Sequence, residues 1–171
     1  MTRLLAWVSA IWALAVAPLT AQVSIVAEAE ISTTALTVGN NANLTFGAVP
    51  TGAATTVNPR NSANAGEFEI HGNRNAEILI TFTLPDSLRV GTHAMLITFS
   101  NTAGCRIGID WLRFLCTSFN PATPQVVRIL NAAVPNNSYF VWVGGTVTPS
   151  ATQPAGIYRG TITLTTAYTG N

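Results

Sequence analysis

The stretch Gly156-Ile157-Tyr158-Arg159-Gly160-Thr161-Ile162-Thr163-Leu164-Thr165-Thr166-Ala167-Tyr168 decides the fold class. Its even positions, Tyr158, Gly160, Ile162, Leu164, Thr166 and Tyr168, are mostly apolar or aromatic. Its odd positions from Arg159 to Thr165 are polar. A period of two describes a strand with one buried and one wet face. Thr, Ile and Tyr all fit a pleated surface, and Pro154-Ala155-Gly156 marks the start. Such a closing strand needs a neighbour, because an unpaired backbone edge invites association. The neighbour is either another strand of the same β-sandwich or a segment of another subunit.

Working outward, the same alternation recurs. Residues 77–84 set Ile78, Ile80, Phe82 and Leu84 against Glu77, Leu79, Thr81 and Thr83, and Pro85-Asp86 ends the run. Residues 67–71 place Phe68 and Ile70 on one face, and 92–99 do the same with Met95, Ile97 and Phe99. Short strands are also expected at 35–38, 44–46, 55–57, 126–130 and 139–143, with Gly39-Asn40-Asn41-Ala42-Asn43 read as a turn. Gly144-Gly145 inside a strand pattern signals a bulge or a close backbone approach. Turn signals at near-regular spacing, with no helical period, predict an all-β, immunoglobulin-like or pilin-like antiparallel sandwich. Leu44, Phe46, Phe68, Ile70, Ile80, Phe82, Ile97, Ile162 and Leu164 are its expected core.

The N-terminus carries a different signal. Met1-Thr2-Arg3 gives a positive charge, 4–17 is apolar apart from Ser9, and Pro18-Leu19-Thr20-Ala21 closes the run. This is the layout of a secretory signal peptide, and the run is short for a bilayer span. Residues 1–21 are therefore expected to be removed. Residues 22–171 then form a single domain with no remaining membrane span, placed in the periplasm, outside the cell or at the surface of a bacterium.

Composition narrows the class. Charged residues are 9% of the 171-residue chain, with eight basic side chains, all Arg, against seven acidic ones. Loss of Arg3 leaves the charges balanced, which argues against nucleic acid and anionic membrane as partners. A sparsely charged, neutral surface also does little to oppose association.

Cys105 and Cys116 are the only cysteines. An exported chain with an even count is expected to pair them, closing a hairpin insert over 101–120. Two thiols without a nearby His are too few for zinc. The insert is unusually apolar, with Ile107, Ile109, Trp111, Phe114 and Phe119, and reads either as a hairpin packed on the sandwich or as an exposed contact patch.

Ahead of the first domain strand lies a further alternating segment, 22–31. Val23, Ile25, Ala27, Ala29 and Ile31 alternate with Ser24, Val26, Glu28 and Glu30, and only Val26 breaks the pattern. Val23, Ile25, Ala27 and Ile31 are the candidate inward face of a strand added to a sheet edge, within the molecule or on another subunit. Main-chain hydrogen bonds would give such a strand affinity and its alternate side chains would fill pockets.

Four pieces carry a family resemblance: Leu44-Thr45-Phe46-Gly47, Phe68-Glu69-Ile70-His71-Gly72, Val143-Gly144-Gly145-Thr146, and Gly156-Ile157-Tyr158-Arg159-Gly160-Thr161 running on to Tyr168. In order and spacing they resemble the bacterial secreted β-sandwich family called domain of unknown function 4402, a relative of the spore-coat-protein-U-like and fimbrial subunit families. The resemblance implies a pilin-like sandwich whose N-terminal extension serves as a donor strand, and it brings no catalytic motif. The cysteine insert departs from the family pattern.

Chemistry is sparse. The chain has no nucleophile elbow, no H-E-x-x-H and no P-loop. His71 and His93 sit alone on candidate strands. Glu67, Glu69 and Glu77 include an i, i+2 pair that reads as the wet face of one strand rather than a glycosidase pair. The protein is expected not to be an enzyme and to use no cofactor or metal. Two functions stand: an exported structural protein that assembles with copies of itself or a related surface protein by strand addition, or a monomeric binding module holding a glycan or surface ligand near Trp111 or Trp142.

Overall fold

The computed structural model describes residues 35–60, 62–108, 110–129 and 138–170, and gives only the backbone of Asp110 and Trp111. Residues 1–21, expected to be a leader, and the segment carrying Val23, Ile25, Ala27 and Ile31 lie outside the described residues. Among the described residues the chain is all β apart from one 3-10 segment. In order it forms β1 (Thr37–Ala42), β2 (Thr55–Val57), β3 (Gly66–His71), β4 (Glu77–Thr83), β5 (Ser87–Val90), β6 (His93–Thr98) and β7 (Gly104–Ile107). The 3-10 segment Asp110–Leu115 follows, then β8 (Thr117–Phe119), β9 (Gln125–Arg128), β10 (Ser138–Val143), β11 (Gly145–Thr148) and β12 (Thr163–Tyr168). No helix among the described residues is long and apolar enough to cross a membrane.

The strands pair antiparallel throughout. They build a five-stranded sheet β1-β3-β10-β7-β8, a four-stranded sheet β2-β11-β6-β5 and a three-stranded sheet β12-β4-β9. The main core lies between the first and third of these. Ile70, Tyr139 and Val141 face Ile78, Ile80, Val127 and Leu164, with Phe119 and Ile129 completing the layer. Two β-sheets meeting through alternate side chains make a sandwich. A smaller core on the four-stranded sheet gathers Leu44, Phe46, Val49, Leu88, Phe99 and Tyr158 around Met95, Ile97 and Val147.

Strand β10 organises the molecule. All six of its residues are buried, because it is covered on both faces. Tyr139 and Val141 point into the main core. Phe140 and Trp142 point the other way and are covered by Cys105, Cys116 and Ile107. At Gly144 the chain leaves the five-stranded sheet and continues as β11 in the four-stranded one. The β5–β6 hairpin turns through Gly91-Thr92, with Val90 opposite His93. Gly91 has φ +55°, the left-handed conformation that tight hairpin turns require and glycine adopts without strain.

Four sequence expectations need correction. The closing strand 157–168 is regular only from Thr163, which lies opposite Thr83. The reason is in its partner: Pro85 has no N–H to donate, so β4 ends and 157–162 crosses to touch β5 by a single bridge, Arg159 to Arg89. The alternation itself holds, with Leu164 buried, Tyr158, Ile162 and Tyr168 half-buried, and the odd positions exposed. Next, residues 39–42 are strand rather than turn. They form the edge of the five-stranded sheet, where the asparagines face solvent or bond to neighbours, and the register shift between Asn40 and Ala42 marks a bulge. Third, 44–46 is not strand at all. Last, of the expected core only Ile70, Ile80, Ile97 and Leu164 are buried; Leu44, Phe46, Phe68, Phe82 and Ile162 are half-covered.

The insert closes as expected by a Cys105–Cys116 disulfide, Cα–Cα 5.6 Å. Strands β7 and β8 make the hairpin, but their connection is the 3-10 segment rather than a plain turn. Replacing both cysteines by Ser is expected to lower stability by about 2–3 kcal/mol through loop-closure entropy, read from urea denaturation. Alkylation of the exported protein without reductant, followed by mass spectrometry, is expected to add nothing; two added groups would refute the bond.

Candidate functional site

Four of these half-covered residues, Leu44, Phe46, Phe68 and Ile162, border a groove of about 950 Å³, whereas Phe82 packs against the main core. One rail is 40–49, the chain just after β1. The other is 153–162, the chain just before β12. Phe68, Leu88, Met95, Ile97 and Val143 form the floor. The rails run in opposite directions. At one end Leu36 and Tyr168 both pack against Gly72; at the other Gly52 donates its N–H to the Ser150 carbonyl at 3.2 Å.

Each rail is bonded on the side away from the groove. Thr45 donates its N–H to the Asn64 carbonyl at 2.9 Å. Arg159 and Arg89 exchange two backbone bonds of 2.8 and 2.9 Å. Among the described residues no backbone hydrogen bond joins one rail to the other. Among the described residues the groove is therefore an apolar floor between two half-paired backbone edges, the geometry that accepts an extended chain. Tyr158 is fixed at its rim, accepting from Gln153 Nε2 at 2.7 Å and donating to the Pro154 carbonyl at 2.9 Å. Ile157 beside it is 68% exposed. Tyr168 does not line the groove; its hydroxyl accepts from the Asn73 N–H at 2.7 Å.

A second cluster, on the outer face of the five-stranded sheet, escaped the sequence reading. Ser138, 1% exposed, donates to Glu69 Oε1 at 2.6 Å and lies 3.0 Å from His71 Nδ1. His71 Nε2 approaches the same Glu69 Oε1 at 3.3 Å. The Asn41 amide bridges Glu67 and Glu69 at 3.1 Å each, and Trp142 Nε1 donates to Glu67 Oε2 at 2.9 Å. The i, i+2 acids are thus structural anchors rather than a wet face. A buried hydroxyl held by a carboxylate is not presented to a substrate, so the group ties β1, β3 and β10 together. The signal was weak because Ser138 and His71 are far apart in sequence and meet only through the β3–β10 register.

Burial works against ionisation of Glu69, but the hydrogen bonds from Ser138 and Asn41 and the neighbouring His71 outweigh it. They hold its carboxyl below the ordinary value of 4.5. A carboxyl depressed in the folded state stabilises the fold fully above its unfolded pKa, and that stability is lost as pH falls through the folded value. The melting temperature is therefore expected to fall on acidification below about pH 4.5. Ser138→Ala should flatten that dependence, and superimposable pH profiles for the two proteins would refute the coupling.

Trp142 is fully buried, so it cannot serve as a glycan platform, and the binding-module expectation loses that residue. Arg113 lies over its ring with Cζ 4.9 Å from the centroid, and is held by the Pro59 and Ser62 carbonyls at 2.6–2.9 Å. The 3-10 segment thereby clamps the outer layer.

Among the described residues, sheets and groove together define an antiparallel β-sandwich with an open seam. The chain belongs to the family described as a domain of unknown function (DUF4402), whose model matches residues 24–168. No curated protein and no solved structure matches it. Residues from each piece that carried the resemblance line the groove: Leu44 to Gly47, Phe68, Val143 and Gly156 to Thr161.

Proposed function

We propose that this is an exported structural protein, comparable in role to a fimbrial subunit, that assembles at the cell surface by taking an extended strand into the groove. The observation that carries the reading is the pair of half-paired rails over an apolar floor. Residues that would be core in a closed sandwich, Leu44, Phe46 and Tyr158, are left half-covered. An added strand satisfies both at once, since its backbone pairs with a rail and its alternate side chains cover the floor. The disulfide fits an oxidising compartment outside the cytoplasm, and the low charge fits association.

The test is binding of a labelled, extended peptide to the exported full chain carrying Ile25→Asp, a change outside the described fold that spoils any internal competitor. The peptide 22–31 is expected to bind saturably by fluorescence anisotropy, and Phe46→Arg on the 40–49 rail should weaken it at least tenfold. Absence of saturable binding would refute the strand-acceptor reading.

A further inference from the structure

We infer that a second, polar hollow, where the chain crosses from the five-stranded to the four-stranded sheet, binds an acidic sugar, a carboxylate flanked by hydroxyls. The hollow is separate from the apolar groove, and its ligand does not depend on the strand-acceptor reading. It measures about 220 Å³. Strands β2 and β11 of the four-stranded sheet supply Thr56 and Thr146, and β8 of the five-stranded sheet supplies Ser118. The loop between β6 and β7 adds Ser100 and Thr102, and the loop after β2 adds Arg60. Val57, Ala103 and Gly145, all buried, also line it.

Charge sets the first requirement on the ligand. Arg60 makes no ion pair among the described residues. The described carboxylates are engaged elsewhere: Glu67 with Trp142, Glu69 with Ser138, Glu77 with Thr169 and Asp86 with Ser87. None of them lines the hollow. Arg60 Nη1 donates to the Phe114 carbonyl at 2.8 Å, and Nη2 donates to Ser118 Oγ at 3.2 Å. A guanidinium carries five N–H donors, so these two bonds leave three unspent. Phe114 lies inside the disulfide loop and Ser118 just after it, so the guanidinium is positioned before a ligand arrives. A planar fork held in place with donors to spare suits a carboxylate.

Hydroxyls set the second requirement. Thr56 Oγ1 and Thr146 Oγ1 lie 2.8 Å apart, and Ser100 Oγ and Thr102 Oγ1 lie 3.3 Å apart. Each pair shares one proton, so the second proton is free to donate and lone pairs remain to accept. Ser118 Oγ accepts from Arg60 and keeps its own proton. A bare anion uses the donors and leaves the acceptors idle. Sugar hydroxyls use both, because each donates and accepts. No aromatic side chain among the described residues lines the hollow, so a ligand held by ring stacking finds no platform there. The walls are fixed in advance. Gly144 donates its N–H to the Ala103 carbonyl at 2.8 Å, Ala103 to the Ser100 carbonyl at 3.0 Å, and Gly145 pairs with Val57. A preformed site spares the ligand much of the ordering cost of binding.

Titration of the exported full chain, followed by amide NMR, tests this. Sodium galacturonate is expected to bind saturably and to move the amide signals of Arg60, Ala103, Ser118 and Gly145. Methyl galactoside lacks the carboxylate and acetate lacks the hydroxyls. Each should bind about tenfold more weakly or worse, the scale of one charge-assisted hydrogen bond. Arg60→Gln should weaken galacturonate to the same degree and leave methyl galactoside unchanged, because the carboxylate and the guanidinium act as a pair. Thr146→Val leaves Arg60 and its bonds in place, and should weaken galacturonate about fivefold, the scale of one neutral hydrogen bond. It serves as the deciding variant should Arg60→Gln fail to fold. A galacturonate trimer that binds as well as the monomer marks a polysaccharide as the source of the sugar, and a trimer that is excluded marks the free sugar; both support the site. If acetate or sulfate binds as tightly as galacturonate, the hollow is a plain anion contact and the inference is overturned. It is overturned equally if galacturonate moves none of these signals, or if the folded variants bind it as the unmodified protein does.

Discussion

Trp142→Ala is expected to destabilise the fold by about 3–5 kcal/mol, the range for deleting a fully buried aromatic side chain. Trp142 has no exposed surface. Its ring lies against Phe140, with centroids 6.0 Å apart and planes 17° from parallel, and Arg113 covers the other side. Truncation would open a cavity beneath the 3-10 segment and remove one of the bonds that hold Glu67. The disulfide and the Arg113 bonds to the 58–62 loop resist collapse into that space, which places the cost toward the upper end. Trp142→Phe keeps most of the ring and loses the Glu67 bond, so it should cost distinctly less. Urea denaturation of the three proteins checks both statements. A loss below about 1 kcal/mol for Trp142→Ala would show that the outer layer stands apart from the cooperative core.

That outer layer shows where sequence reading stops. Alternation revealed β3, β4, β6 and most of β10, because each has a recognisable set of inward side chains. It could not reveal that β10 is covered twice. Phe140 and Trp142 alternate with Tyr139, Val141 and Val143 in an unbroken apolar run, which periodicity alone does not resolve. The disulfide was legible from count and compartment, whereas the 3-10 geometry between the cysteines was not. The 39–42 part of β1 was missed because its asparagines signal a turn, and on a solvated edge strand the same residues are tolerated. Leu44 and Phe46 were expected in the buried core, and they are instead half-covered at the groove. The pattern carries no information about whether a cover exists, so an open groove and a closed core look alike in one chain. The Ser138–Glu69–His71 cluster depends wholly on the register of β3 with β10.

Gly144-Gly145 was read as a bulge or a close approach, and the crossing at Gly144 carries the second large expectation. A Cβ at this position would collide with the carbonyl oxygen of Val57. It would also lie 2.8 Å from Pro59 Cδ and 3.0 Å from Pro59 N. These neighbours are backbone or ring atoms, so no side-chain rotation relieves the contact. The Gly144 N–H is already committed to the Ala103 carbonyl at 2.8 Å, and the next residue, Gly145, pairs with Val57. Gly144→Ala must therefore push β2 away from β11 or tilt β10 out of its sheet. Overpacking of this kind costs about 1–3 kcal/mol, and more where backbone must move; at least the top of that range is expected here. Gly39→Ala is the internal control. It sits in β1 with its nearest neighbours at 3.8 Å, so it should be close to neutral, or stabilising by about 0.4–1 kcal/mol through lost unfolded-state entropy. Thermal melts of the two variants beside the unmodified protein decide the matter. If Gly144→Ala melts with Gly39→Ala, the passage from one sheet to the other is looser than this packing requires. The floor of the groove, which Val143 helps to form, would then be looser with it.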